Sequence, residues 1–167
     1  DEVRKNYVAA GSMHILCVSG MHVGIIYLLA SFLLGFLNRK KWQKVLKQAL
    51  LLALIWFYAL IAGLSPSILR ASLMLTFVIV GEMIHRKGFI INSIAASAFV
   101  LLCVNPNNLL EIGFLLSYAA VLGIVVLQRP IYSWFVVKNK LLDRAWEITA
   151  VALAAQAGTI PFTLFYF

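Results

Sequence analysis

Six long apolar stretches recur along this chain, and nothing else in it constrains the fold as tightly. A membrane-crossing helix needs about 20 apolar residues, within a range of about 17 to 25. Met21 to Leu37 meets that length, and Val45 to Ala62, Pro66 to Ile84, Phe89 to Val104, Ile112 to Leu127 and Trp146 to Phe167 follow it. The fourth stretch is short for a crossing. Ser65 reads as the N-cap of the third helix with Pro66 at its first position. Arg129-Pro130 reads as the end of the fifth, and Pro161 as a kink in the sixth. Hydrophobic residues make up 63% of the 167 and charged residues 12%, with a mean hydropathy of +0.95. Soluble chains are about half apolar and about a quarter charged, so lipid is the simplest solvent for this one. The fold class is all-α: a polytopic transmembrane helix bundle of about six spans, with broken or re-entrant and interfacial helices.

Two features mark the irregular helices. Tyr7 to Leu37 is largely apolar and is interrupted by Ser19-Gly20, and as one helix it would extend about 45 Å, well beyond a hydrocarbon core of about 30 Å. A break at Ser19-Gly20 returns the first part to the bundle and leaves free helix-terminal amides. Ile131 to Leu142 mixes Tyr132, Trp134 and Phe135 with Lys138 and Lys140 and reads as an amphipathic helix lying in the interface. Asn105 to Glu111 reads as a turn that leads straight into the fifth stretch.

The net charge of +8 would point to nucleic acid in a soluble protein, but cytoplasmic loops are enriched in Lys and Arg in any case. The distribution says more than the sum. Arg39, Lys40, Lys41, Lys44 and Lys47 follow the first span, Arg86 and Lys87 the third, and Arg129, Lys138, Lys140 and Arg144 the fifth: 11 of the 14 basic residues. The loops at Gly63 to Ser65 and Asn105 to Glu111 have none. The three basic loops are therefore expected in the cytoplasm and both ends of the chain on the outer side. Trp42, Trp134 and Trp146 flank the basic loops as an aromatic belt. The chain opens on Asp1 and stops at Phe167 inside an apolar run, which reads as a fragment.

Polar residues at membrane depth are the default functional candidates. Gly20 and Gly24 lie one turn apart, suited to close helix packing or to a broken helix whose amides face an anion. As a helix, Gly20 to Asn38 covers about 27 Å, which places the break in the outer leaflet. His14 and His22, with Cys17 between, stand two turns apart, too far to share an ion, and suit pore-lining or interhelical hydrogen bonds better than a metal. Arg70, among Ser65, Ser67 and Ser72, either snorkels to the headgroups or faces the bundle interior, where it meets an anion or pairs with Glu111. Gln156 is expected near the midplane in an interhelical hydrogen bond. Cys17 and Cys103 lie in apolar runs and read as small core residues. No paired carboxylates, HExxH, GxSxG or Gly-rich phosphate loop is present, so neither a catalytic site, a metal nor a cofactor is expected.

Four ordered motifs resemble the ComEC family of competence proteins. His14-Ile15-Leu16-Cys17-Val18-Ser19-Gly20-Met21-His22-Val23-Gly24 is similar to the family's HLLAISGLHVG, and Ala62-Gly63-Leu64-Ser65-Pro66-Ser67-Ile68-Leu69-Arg70-Ala71 to its AGLSPSVLRA. Asn105-Pro106, Leu109-Leu110-Glu111-Ile112-Gly113-Phe114 and Leu116-Ser117 are similar to NP…LLDPGFQLSF, and Ala155-Gln156, Pro161 and Tyr166-Phe167 to AQ…LP…YYF. Glu111 stands where Asp is usual, Leu115 where Gln is usual, and Met21 where Leu is usual. The resemblance implies a non-enzymatic channel domain that carries single-stranded DNA across the bacterial inner membrane in natural transformation. It implies OB-type and metallo-β-lactamase-like domains outside residues 1–167, any nuclease activity belonging to the latter. The partners it implies are the DNA strand, the bilayer, those domains, DNA-delivery and cytoplasmic DNA-motor proteins, and a second copy of the chain. His14, Ser19, Gly20, His22, Gly24, Arg70, Glu111 and Gln156 are the candidates for the DNA path. Two other readings use the same residues: a secondary transporter of a small organic anion, and a membrane scaffold whose motifs serve packing alone.

Overall fold

The computed structural model describes residues 20–38, 40–84, 90–135 and 139–166. Every regular element among them is helical: α1 (Gly20–Leu33), a 3-10 turn (Leu34–Asn38), α2 (Lys41–Ile61), α3 (Pro66–Met83), α4 (Ile90–Val104), a second 3-10 turn (Pro106–Leu110), α5 (Ile112–Tyr132) and α6 (Lys140–Tyr166). Five spans, Gly20–Leu37, Trp42–Ile61, Pro66–Met83, Ile112–Tyr132 and Lys140–Tyr166, are long and apolar enough to cross a membrane. The shorter α4 reaches about 22 Å. The chain forms two compact units, Asp1–Ile79 and Val80–Phe167, the boundary falling within α3.

In the first unit Val23, Ala30, Leu51, Ile55, Ala59, Ile68 and Ile79 form the core, with Tyr27, Leu52, Ala71 and Leu75 packed around it. The opposite faces carry Leu28, Phe32, Trp42, Phe57 and Leu60 to the outside, which suits helices solvated by lipid. A polar relay crosses the core: Trp56 Nε1–H donates to Thr76 Oγ1 (3.2 Å), whose hydroxyl donates to the Ser72 carbonyl (2.7 Å). It ties α2 to α3 without leaving the indole N–H unpaired in an apolar setting.

In the second unit α5 and α6 approach until Gly123 lies against Gly158. A Cβ built on Gly123 would stand 2.5 Å from the Ala154 carbonyl oxygen, and one on Gly158 2.5 Å from that of Ala119. Ala119, Ala150 and Ala154 are buried beside them. This is association through small residues, which lets backbones touch where lipid removes any hydrophobic drive between helices. At the end of this hairpin Tyr132 Oη–H donates to Asp143 Oδ1 (2.6 Å) and Trp146 Nε1–H to the Tyr132 carbonyl (2.9 Å). Toward α4, Ser97 Oγ–H donates to the Ile94 carbonyl (2.7 Å) and its oxygen lies 3.0 Å from Tyr118 Oη.

Several sequence expectations need correction. α2 begins at Lys41, ahead of Val45, and α6 at Lys140, ahead of Trp146. α5 does not stop at Arg129-Pro130 but runs to Tyr132, because proline that close to a helix end forfeits a single hydrogen bond. No separate interfacial helix forms in the described part of 131–142: Ile131 and Tyr132 close α5 and Lys140 opens α6, while 136–138 lie outside the described residues. As expected of the sixth stretch, α6 does not end at Pro161 but continues to Tyr166. Cys103 is a free, exposed thiol rather than a core residue, and Cys17 lies outside the described residues.

Candidate functional site

The described polar candidates of the first unit gather where the N-terminus of α1 meets the first turns of α3. The turn that delivers α3 is built by its own sequence. Gly63 N–H donates to the Leu60 carbonyl (3.1 Å) and Leu64 N–H to that of Ala59 (2.9 Å), the paired bonds of a Schellman C-cap. Gly63 takes φ +78°, the left-handed conformation that this cap needs and that glycine adopts without steric cost. Leu64 follows at φ +49°, an uncommon place for a residue with a Cβ. Pro66 then opens α3, where its fixed φ fits and its lack of an N–H costs nothing. Ser65 supplies its carbonyl to Leu69 N–H (2.9 Å), but its hydroxyl is buried and makes no hydrogen bond in the described structure, so it does not act as a side-chain cap.

On the next turn, Ser67 Oγ accepts a 2.9 Å hydrogen bond from the Gly20 amide. Gly20 is the first described residue of α1, and first-turn amides need acceptors from outside their helix. The approach depends on glycine: a Cβ at Gly20 would stand 3.1 Å from Ala71 Cβ and 3.1 Å from the Ser67 carbonyl oxygen. Gly24 behaves differently. Nothing described lies within 4 Å of a Cβ placed there, so among the described residues only Gly20 shows the close packing expected of the pair.

Arg70, one turn into α3, is buried at 8% exposure, and Ser72 beside it is fully buried. A snorkelling arginine would expose its guanidinium; this one does not. The Ser72 hydroxyl, like that of Ser65, makes no hydrogen bond among the described residues. The N-termini of α1 and α3 thus meet side by side, bringing two positive helix-dipole ends to a turn that also carries a permanently charged, buried guanidinium. Such a place favours an anion with oxygen acceptors.

The other described candidates lie on α1, at the start of α5 and on α6. His22 is exposed on the first turn of α1. Glu111 is exposed in the second unit, where its main-chain carbonyl accepts from Phe114 and Leu115 at the start of α5. The 3-10 turn before it is capped by Asn105 Oδ1 accepting from Asn107 N–H (3.1 Å), and Asn108 Nδ2 donates to the Leu101 carbonyl of α4 (3.2 Å). Gln156 is exposed on α6, and its expected interhelical hydrogen bond does not form among the described residues. His14 and Ser19 lie outside the described residues. Sequence reasoning missed the acceptor role of Ser67 and the Gly123–Gly158 contact. The spacing Ala119-x3-Gly123 against Ala150-x3-Ala154-x3-Gly158 carried the signal for the latter.

Long apolar helices, a basic-loop alternation and charge held at the meeting of helix ends define a multi-pass α-helical membrane protein. The chain belongs to the Competence protein family, whose sequence profile matches residues 1–167. It is 34% identical over 167 residues to "ComE operon protein 3" of Bacillus subtilis (strain 168), covering 100% of this chain and 20% of that protein. It is 26% identical over 160 residues to an uncharacterized protein of Aquifex aeolicus (strain VF5), covering 96% of this chain and 35% of that protein. The chain therefore spans only a minor part of the length of these relatives. No solved structure matches it.

Proposed function

We propose that this chain is the membrane channel domain of a bacterial DNA-uptake protein, and that it passes single-stranded DNA across the inner membrane. The joint between Gly20, Ser67 and Arg70 is the phosphate-receiving part of its outer mouth. The family match and the relative from the ComE operon support the uptake role. The observation that carries the site is the burial of Arg70 at a turn where two helix N-termini meet. A guanidinium is costly to bury in a membrane protein, and phosphate recognition is a reason to keep one there: it accepts two parallel N–H bonds from Arg. On this reading the loops around residues 38–47, 85–88 and 128–145 are cytoplasmic, and Glu111, His22 and Gly24 stand toward the outer side with Arg70. OB-type and nuclease-like domains, DNA-delivery proteins and a cytoplasmic DNA motor are the partners that complete the system.

The test is DNA uptake by cells carrying Arg70 variants of the intact protein. Arg70→Ala abolishes uptake while membrane abundance stays normal. Arg70→Lys, which keeps the charge but loses the bidentate fork, leaves a small part of it. Undiminished uptake by the alanine variant overturns the assignment.

A further inference from the structure

Lys44 and Lys47, near the start of α2, fall in register with the stripe that the helix buries further along. The buried residues Leu51, Ile55 and Ala59 recur every fourth position, which is one stripe of an α-helix. Continued toward the N-terminus at helical spacing, that stripe passes through Lys47 and Lys44, and Lys40 stands just ahead of the helix as its N-cap. The opposite stripe runs Trp42, Leu46, Ala49, Ala53, Phe57 and Leu60, every one of them exposed, Trp42 at 80%. The lipid-facing side of α2 therefore begins with a tryptophan, and the stripe that becomes core-facing begins with the exposed Lys44 and the half-buried Lys47, preceded by the exposed N-cap Lys40.

Two facts show that these charges lack an acidic partner among the described residues of the unit. From residue 20 to residue 79 the sequence contains no Asp and no Glu. The lysines also sit at a helix N-terminus with no acidic residue in its first turn, where the helix dipole disfavours cations. Enrichment of lysine in cytoplasmic loops explains their number but is indifferent to the face they occupy.

We infer that Lys40, Lys44 and Lys47 form a second phosphodiester-binding point at the cytoplasmic end of the first unit, which takes the phosphates of the DNA strand as it leaves the channel. The inference rests on the proposed transport of DNA and adds an exit contact to the entry contact at Arg70. Lipid headgroups offer the same phosphodiester chemistry, but the side of α2 that meets lipid is the one headed by Trp42.

The intact protein carrying this chain is placed in nanodiscs of phosphatidylcholine, with or without phosphatidylglycerol, and binding of a fluorescent oligothymidylate is followed against salt. Each single-strand phosphate neutralised contributes about 0.7 to the log–log salt slope. The double variant Lys44→Gln/Lys47→Gln should therefore lose about 1.4 of that slope, equally in both lipids, and Lys44→Arg/Lys47→Arg should restore it. Lys47→Gln alone, losing about 0.7, serves if the double variant does not insert. An unchanged slope, or an effect seen only with phosphatidylglycerol, overturns the exit contact. If the lysine variants keep the full slope while Arg70→Ala weakens binding, the exit contact alone fails. If the unaltered protein binds no oligonucleotide, the exit contact and the DNA reading fall together.

Discussion

The Gly20 amide donates to Ser67 Oγ at 2.9 Å, so the first turn of α1 is capped by the first turn of α3. Both residues sit in motifs that the sequence displays separately, and the bond explains why each is needed. Ser67→Ala leaves a main-chain donor unsatisfied in an apolar setting, a loss of about 1–3 kcal/mol. Ser67→Thr retains the acceptor and most of the stability. Thermal unfolding of the detergent-solubilised protein reads the difference.

Gly20 itself tolerates little. The Cβ of Gly20→Ala meets Ala71 and Ser67 at 3.1 Å, which small shifts of the two helices relieve, so a modest loss of stability is expected. Gly20→Leu forces α1 and α3 apart and should abolish DNA uptake with the protein still in the membrane. Wild-type uptake by the leucine variant would show that the joint is not part of the path.

Gly63→Ala tests the turn that delivers Arg70. At φ +78° an added Cβ costs about 1–2 kcal/mol. The expected result is a lower melting temperature and weaker uptake, with a larger loss for the β-branched Gly63→Val. An unchanged melting temperature for the valine variant would contradict the Schellman geometry.

In the second unit, Gly123→Ala and Gly158→Ala each drive a methyl group to within 2.5 Å of a carbonyl oxygen on the facing helix. No rotamer can relieve a clash made by Cβ itself, so each variant should lose at least the roughly 1–3 kcal/mol typical of overpacking. The measurement is the yield of folded, monodisperse protein after extraction. By contrast, Gly24→Ala, with no described atom within 4 Å of its new Cβ, should be neutral for packing.

Much of this architecture was legible in the sequence. The apolar runs located the helices, and Ser65-Pro66 set the start of α3 correctly, because proline at the first helical position has a defined geometric role. The ends of α2, α5 and α6 were misjudged for one shared reason. Hydropathy marks where a helix meets hydrocarbon, whereas the hydrogen-bond ladder continues through charged residues such as Lys41, Arg129 and Arg144. Of the candidate site, Gly20 and Arg70 were visible as polar or flexible residues in costly places. That Ser67 joins them was not visible, since a single serine at a helix start has several local partners and only the crossing of α1 with α3 selects one. The Gly123–Gly158 contact was obscured similarly: small residues are common in such helices, and packing decides which of them touch.

The orientation can be checked directly. Cysteine substituted for Lys41 should be inaccessible to an impermeant thiol reagent applied from outside intact cells, and cysteine substituted for Asn107 accessible. The reverse pattern would place Arg70 on the cytoplasmic side and remove the entry role assigned to it.

The central claim is that the chain forms a path for a polyanionic strand. Its most direct test is the intact protein in proteoliposomes, oriented with its outer face outward and given a fluorescent single-stranded oligonucleotide, with nuclease added outside after a fixed interval. The account predicts oligonucleotide protected inside the vesicles, and loss of that protection in Arg70→Ala while the protein remains inserted. No protected strand under any driving gradient, together with ion-coupled uptake of a small organic anion, would contradict it.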